Sequence, residues 1–199
     1  FSARDAAVYA HEQIGHQRSF YYGGYVLKGT DGRFVITQPL ESVVHPFAST
    51  LFFPVNEPGP LIPPEPYELH ARYGSHTALS MVDPEWVKQR GWSRDEALLN
   101  LQVFSTDEMY SIILDRRVAY VSGAEDCLLE YTPNQSPEEA LLLANIAPGA
   151  GENSLGRRLD RGEIRPGDWV RRLAVAGEFK IVQGNALWGP RSVVYSDWS

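Results

Sequence analysis

The chain holds a single cysteine, Cys127, in 199 residues. That excludes an internal disulfide and any zinc site built on several thiolates. No stretch reaches the roughly 18 apolar residues that a membrane helix needs. The longest apolar run, near residues 140–147, is interrupted by Asn145 and closed by Pro148. Basic residues are few: 18 Lys and Arg stand against 25 Asp and Glu, for a formal charge of −7. This balance argues against a broad nucleic-acid surface, which needs basic charge to displace counterions from phosphate, and against binding anionic lipid by charge. The first residues show no basic segment followed by an apolar one, so no secretory signal is expected. The chain begins at Phe1, which is read as a piece of something longer. No Gly-x-Ser-x-Gly elbow and no phosphate-binding Gly-x-x-x-x-Gly-Lys-Ser/Thr loop occurs.

What is present suits an ordinary globular chain of 22.3 kDa with 43% hydrophobic and 22% charged residues. Ser2 caps a first helix that Gly15 stops, with Ala6, Ala7, Ala10 and Ile14 on one face. His11 and His16 on this helix are expected to be solvated. Residues 21–28 and 33–37 are β-rich and flank Asp31-Gly32, a pair that accepts the positive φ angles of a tight hairpin. Eight of the 14 prolines fall between Pro39 and Pro66, which predicts a long loop there. A strand over 67–76 follows. Asp83-Pro84, Ser93-x-x-Glu96, Ser105-x-x-Glu108 and Ser136-x-x-Glu139 each mark a helix start. A second hairpin is expected over 118–122 and 127–132, a short basic helix over 154–161, and a final strand pair over 169–176 and 178–183. The order is α+β, with a mostly antiparallel or mixed sheet.

The segments Tyr21-Tyr-Gly-Gly-Tyr-Val, Asp31-Gly-Arg-Phe and Tyr73-Gly-Ser-His-Thr77, behind the first helix, carry a likeness. Over residues 1–122 the chain resembles an uncharacterised bacterial family found near the ends of Rhs-type and other polymorphic-toxin or secreted proteins. That family is itself similar to the JAB/MPN metalloproteases, of cytidine-deaminase-like architecture. The resemblance implies a mixed sheet flanked by helices, with core residues Tyr22, Val26, Val35 and Leu69, the Pro-rich loop at 39–66 and a helical insertion at 83–102. Residues 123–199 lie outside the resemblance and are expected to form a β-rich C-terminal extension packed on this core.

Intact JAB/MPN sites need His-x-His, then Ser-x-x-Asp, with a Glu on an earlier strand. Two His one residue apart on a strand share a face and can grip one zinc. The Asp is the third ligand, the Glu takes a proton from the metal-bound water and the Ser steadies the oxyanion. Carried over by position, His76 matches the second His and Asp107 the Asp. Gly74 stands at the first His, Phe104 at the Ser with Ser105 one place displaced, and Tyr21 at the Glu. The expectation is a vestigial pocket of His76, Asp107, Ser105 and Tyr21, with no cofactor held. The alternative is zinc kept by His76 and Asp107 with a rearranged shell that draws on His11, Glu12 or Glu68, serving amide or isopeptide hydrolysis. His70 lies about 20 Å from His76 in an extended strand and could not share its ion. Cys127 reads as a small buried thiol.

Outside the resemblance, Arg157, Arg158, Arg161, Arg165, Arg171 and Arg172 form a basic cluster. It is either a solvated face, a docking surface for an acidic partner, or an anion site of a toxin built on the C-terminal part. The tail with Trp188 and Trp198, and the aromatic stretch 47–53, are candidates for packing or for an interface. The functional expectation is an interaction or effector module of a bacterial toxin or secretion system, with a protein partner, in the bacterial cytoplasm or exported within a larger toxin.

Overall fold

The computed structural model describes residues 1–16, 18–42 and 63–199. It is α+β: one open mixed sheet with helices on both faces. Helix α1 (Ala3–Ile14) begins at a full capping box, with the Ser2 Oγ accepting from the Asp5 N–H at 3.2 Å and the Asp5 carboxylate accepting from the Ser2 N–H at 2.6 Å. Strand β1 (Tyr21–Gly29) turns back into β2 (Phe34–Ile36) around Gly32, whose φ of 79° only glycine adopts freely. Strand β3 (Leu40–Ser42) pairs with the start of β1, so the predicted loop 39–66 yields a short strand in its first residues. Pro39 is tolerated because this is the sheet edge. The remainder of that loop, with the aromatic stretch 47–53 and His45, lies outside the described residues.

Strand β4 (Tyr67–Ser75) runs antiparallel to β1. The chain then crosses over through α2 (Pro84–Gln89), α3 (Arg94–Gln102) and α4 (Thr106–Asp115). It returns as β5 (Val118–Gly123), parallel to β4. Asp83, Ser93 and Ser105 cap the three helices as their spacing predicts. Strand β6 (Cys127–Thr132) pairs antiparallel with β5 across a turn held by Glu125 and Asp126, with φ angles of 59° and 61°. Helices α5 (Pro137–Ile146), α6 (Leu155–Asp160) and α7 (Pro166–Ala176) precede β7 (Glu178–Gln183), which pairs with β6.

Residues 169–176, predicted as a strand, are the body of α7, and residues 123–199 are therefore mixed, not β-rich. Trp169, Val170, Leu173 and Ala176 fall at helical spacing and are the buried face, while Pro166 sits in the first turn where its missing N–H costs nothing. Ile181 and Val194 exchange backbone bonds with Ser192 and Phe179, so the tail covers the free side of β7.

Alternation along the strands separates two layers. Ala71, Tyr73, Tyr120 and Leu128 meet α1 through Ala6, Ala7, Ala10 and Ile14. Ala119, Val121, Leu129 and Tyr131 face the larger core with Phe104, Met109, Trp169 and Phe179. Of the four expected core residues, Val26 is fully buried and Tyr22, Val35 and Leu69 are half-buried. Gly24 explains part of the Tyr-Gly-Gly sequence: a Cβ there would overlap the Tyr73 ring, whose hydroxyl donates to the Thr37 carbonyl at 2.6 Å. Gly24→Ala is expected to cost about 1–3 kcal/mol by overpacking, read as a shifted urea midpoint at unchanged slope.

Candidate functional site

Parallel neighbours β4 and β5 end side by side, and crevices outside such carboxyl ends are where ligands bind in sheets of this kind. Most of the buried polar residues gather at this end: His11, Arg18, Ser75, His76, Gln102, Glu108 and Ser122 are all less than one-tenth exposed. Five of them form two linked groups.

The first is built on His76, the residue after β4. Its Nε2 lies 2.7 Å from Glu108 Oε1, and its Nδ1 2.8 Å from the Leu101 carbonyl. A carbonyl only accepts, so Nδ1 carries a proton, and the second proton is shared between Nε2 and the carboxylate. Glu108 is 0% exposed. It sits at the third position of α4, where Oε2 accepts from the Ser105 N–H at 2.6 Å and the Ser105 Oγ accepts from the Glu108 N–H at 3.2 Å. The capping carboxylate is thus also the partner of the buried imidazole. Burial works to lower the His76 pKa, but the charge and hydrogen bond of Glu108, with the Leu101 carbonyl, outweigh it and hold the pKa above the ordinary value.

The second group is built on Ser122, near the end of β5. His11 Nδ1 lies 2.6 Å from its Oγ, and Arg18 donates from Nη2 to the Oγ at 2.9 Å and from Nη1 to its carbonyl at 2.7 Å. Arg18 Nε donates to the Gly15 carbonyl at 3.0 Å. The His76 N–H donates to the same Ser122 carbonyl, at 3.1 Å, which joins the two groups. His11 Nε2 faces Asp126 Oδ1 at 3.3 Å. Burial, then the Arg18 charge, hold the His11 pKa below the usual value despite Asp126. Burial brings the Arg18 pKa down to about 10. His11, expected to be solvated, is 4% exposed. It lies four residues after Ala7 and three before Ile14, on the buried stripe of α1, and that spacing was the available signal. His16 is exposed.

Ser122, His11 and Asp126 are connected in the order of a hydrolytic triad, but inside out. The hydroxyl end is 1% exposed, and the carboxylate side chain is 86% exposed. A triad needs the reverse, an accessible nucleophile and a buried orienting acid. Cys127 is a sealed thiol whose pKa burial raises.

The expected pocket of His76, Asp107, Ser105 and Tyr21 assembles only in part. Ser105 is joined to His76 through Glu108. Asp107 is exposed on the other side of the α4 start and lines a separate cleft with Asn100, Thr106 and Arg157. The strict Ser-x-x-Asp alignment misplaces the acid by one residue, because on a helix neighbours lie about 100° apart. Tyr21 is in register with Ser42, at the sheet edge. His70 packs edge-on against Phe34. These residues do not fit a JAB/MPN zinc: both ring nitrogens of His76 are spent on internal partners, and Asp107 points elsewhere. Among the described residues no three His, Cys, Asp or Glu side chains converge.

The basic cluster is largely tied into the chain itself. Arg161 pairs with Glu163 and Glu152, Arg158 with Glu163, Arg165 with Glu96, and Arg171 with Asp168 and the Trp198 carbonyl. Among the described residues Arg157 and Arg172 make no ion pair and are exposed. Trp188 and Trp198, read as interface candidates, are 2% and 7% exposed and belong to this chain's own core. No helix among the described residues is long and apolar enough to cross a membrane. No protein-family model matches this chain, and neither a curated protein nor a solved structure does.

Proposed function

We propose that the chain is a degenerate JAB/MPN-like domain acting as an interaction or effector module of a bacterial toxin or secretion system, without metalloprotease activity. The observation that carries this reading is the state of His76. The imidazole sits at the carboxyl end of a strand that has a parallel neighbour, where the metalloprotease family keeps its ligand, yet Glu108 and Leu101 occupy both nitrogens. A metal could enter only by displacing Glu108 or the Leu101 carbonyl from one of these nitrogens. A sheet kept intact around a sealed pocket suits a module that binds a protein partner, and the net acidic charge disfavours nucleic acid as that partner.

Elemental analysis of protein purified from zinc-supplemented medium, beside an isopeptide-cleavage assay, tests this reading. Substoichiometric zinc, unchanged in His76→Ala, and no cleavage are expected. One zinc per chain that His76→Ala removes, or cleavage that it abolishes, would establish the rearranged metallohydrolase instead.

A further inference from the structure

Beside the sealed pocket lies an open one. A cleft of about 560 Å³ is lined by His11, Glu12, His16, Arg18 and Asp126, with Gly15, Ala78, Ala124 and Glu125 completing its wall. Arg18 is its unusual member. The residue is 6% exposed, and among the described residues no carboxylate lies within ion-pairing distance of its guanidinium. Buried charges in folded proteins are ordinarily paired, because desolvating one without a counter-charge is expensive. The three hydrogen bonds to Gly15 and Ser122 use three of its five N–H groups. Two of its N–H groups have no partner among the described residues, and this charged residue lines the cleft.

His11 adds a third donor. The Asp126 carboxylate facing His11 Nε2 can only accept, so in the neutral ring Nδ1 is the acceptor and the Ser122 hydroxyl donates to it. The neutral ring then carries its hydrogen on Nε2, the nitrogen that faces the cleft wall. A carboxylate is already drawn to that nitrogen: Asp126 reaches it at 3.3 Å from an exposed position, a long bond that a ligand can replace.

The rest of the wall decides what kind of anion fits. Glu12, Glu125 and Asp126 all line the cleft. Glu125 is engaged by Arg94 at 3.5 Å, which leaves Glu12 and Asp126 as the available acids. A bare anion is repelled by these carboxylates, and a bare cation by Arg18. A molecule with both charges a few ångströms apart satisfies both sides. Gly15, Ala78 and Ala124 supply small walls between the charged groups and leave room for the molecule's body.

We propose that this cleft binds a small zwitterion of the α-amino-acid class, its carboxylate on Arg18 and His11 Nε2 and its ammonium on Glu12 and Asp126. The site is independent of whether the scaffold descends from a metalloprotease, so a zinc found at His76 would leave it standing.

The test is an NMR titration of the full chain, following the Arg18 Nε–H and His11 ring signals with L-alanine, acetate, methylammonium and inorganic phosphate in turn. L-alanine is expected to give saturable shifts with a Kd at least about tenfold below those of the other three. Glu12→Gln changes an exposed side chain and leaves the fold intact, and it should bring L-alanine to the level of acetate. Arg18→Lys should weaken L-alanine and acetate together. Absence of saturable shifts with every probe, acetate, phosphate or methylammonium binding as well as L-alanine, or an unchanged preference in Glu12→Gln would each overturn the proposal.

Discussion

Glu108→Ala is expected to destabilise the protein by about 3–5 kcal/mol, whereas Glu108→Gln should cost only about 1 kcal/mol. The carboxylate is fully buried and joins two things, the His76 imidazole at 2.7 Å and the Ser105 N–H at 2.6 Å. Alanine removes the acceptor from the buried His76 Nε2 and from the half-buried Ser105 N–H, and it opens a void at the start of α4. Glutamine keeps the side-chain length and is itself an accepted residue at this capping position. Its amide oxygen can accept from Ser105, and its NH₂ can donate to a His76 that is protonated on Nδ1 only. Urea denaturation of the two variants reads the difference. Equal losses in both would mean that the charge, not the hydrogen-bond pattern, holds the pair together.

The same pair fixes a pH dependence. The folded-state pKa of His76 is raised above the unfolded value of about 6.5. The folded protein therefore binds more protons in that window, and the stability from the pair, complete below pH 6.5, is lost as pH rises through the folded pKa. The folded pKa of His11 is lowered, so its contribution has the opposite sign and lies on the acid side, lost as pH falls from about 6.5 through the folded value. The two histidines together favour a stability maximum between their limbs. Glu108→Gln should flatten the alkaline limb and spare the acid one, and midpoints measured across the pH range in wild type and variant will show whether it does.

The helix starts were legible because capping is local: Ser2, Ser93, Ser105 and Ser136 each reach three residues along the chain, and all four cap as their spacing predicts. The first hairpin was legible for the same reason. Residues 169–176 misled because Trp and Val favour strands, while the tertiary core selected the helical face formed by Trp169, Val170, Leu173 and Ala176. The site was less accessible. His76 stood out only through a resemblance. Glu108 was in view as a cap, but nothing local says that a capping carboxylate also turns inward. His11 and Ser122 are 111 positions apart, and Arg18 and Ser122 are 104 apart. Such pairings are made by the sheet, and no spacing rule encodes them.

Cutting the chain after Ser122 is expected to abolish cooperative folding. The sequence invites that cut, since the resemblance stops there, but the sheet does not. Residues 123–199 supply β6, which pairs with β5 along its length, and β7 beyond it. Among the described residues, the larger core has nine buried members before the cut and seventeen after it. Two polar contacts also cross the boundary. Trp169 Nε1 donates to the Phe104 carbonyl at 2.7 Å, and Trp188 Nε1 donates to Gln102 Oε1 at 2.8 Å, so the cut orphans a buried carbonyl and a buried amide. Each large apolar side chain contributes about 1.5–3 kcal/mol by burial, and a domain's net stability is about 5–15 kcal/mol. Uncovering Leu99, Phe104, Met109 and Ile112 even from one side removes several kcal/mol, a loss comparable with that margin, and β5 becomes a bare edge open to aggregation. The fragment 1–122 should show no near-UV circular dichroism and no sigmoidal melt, while the full chain shows both. A fragment that melts cooperatively would mean that α1 and the first five strands fold without the C-terminal part of the larger core, and would restore the boundary that the sequence suggests.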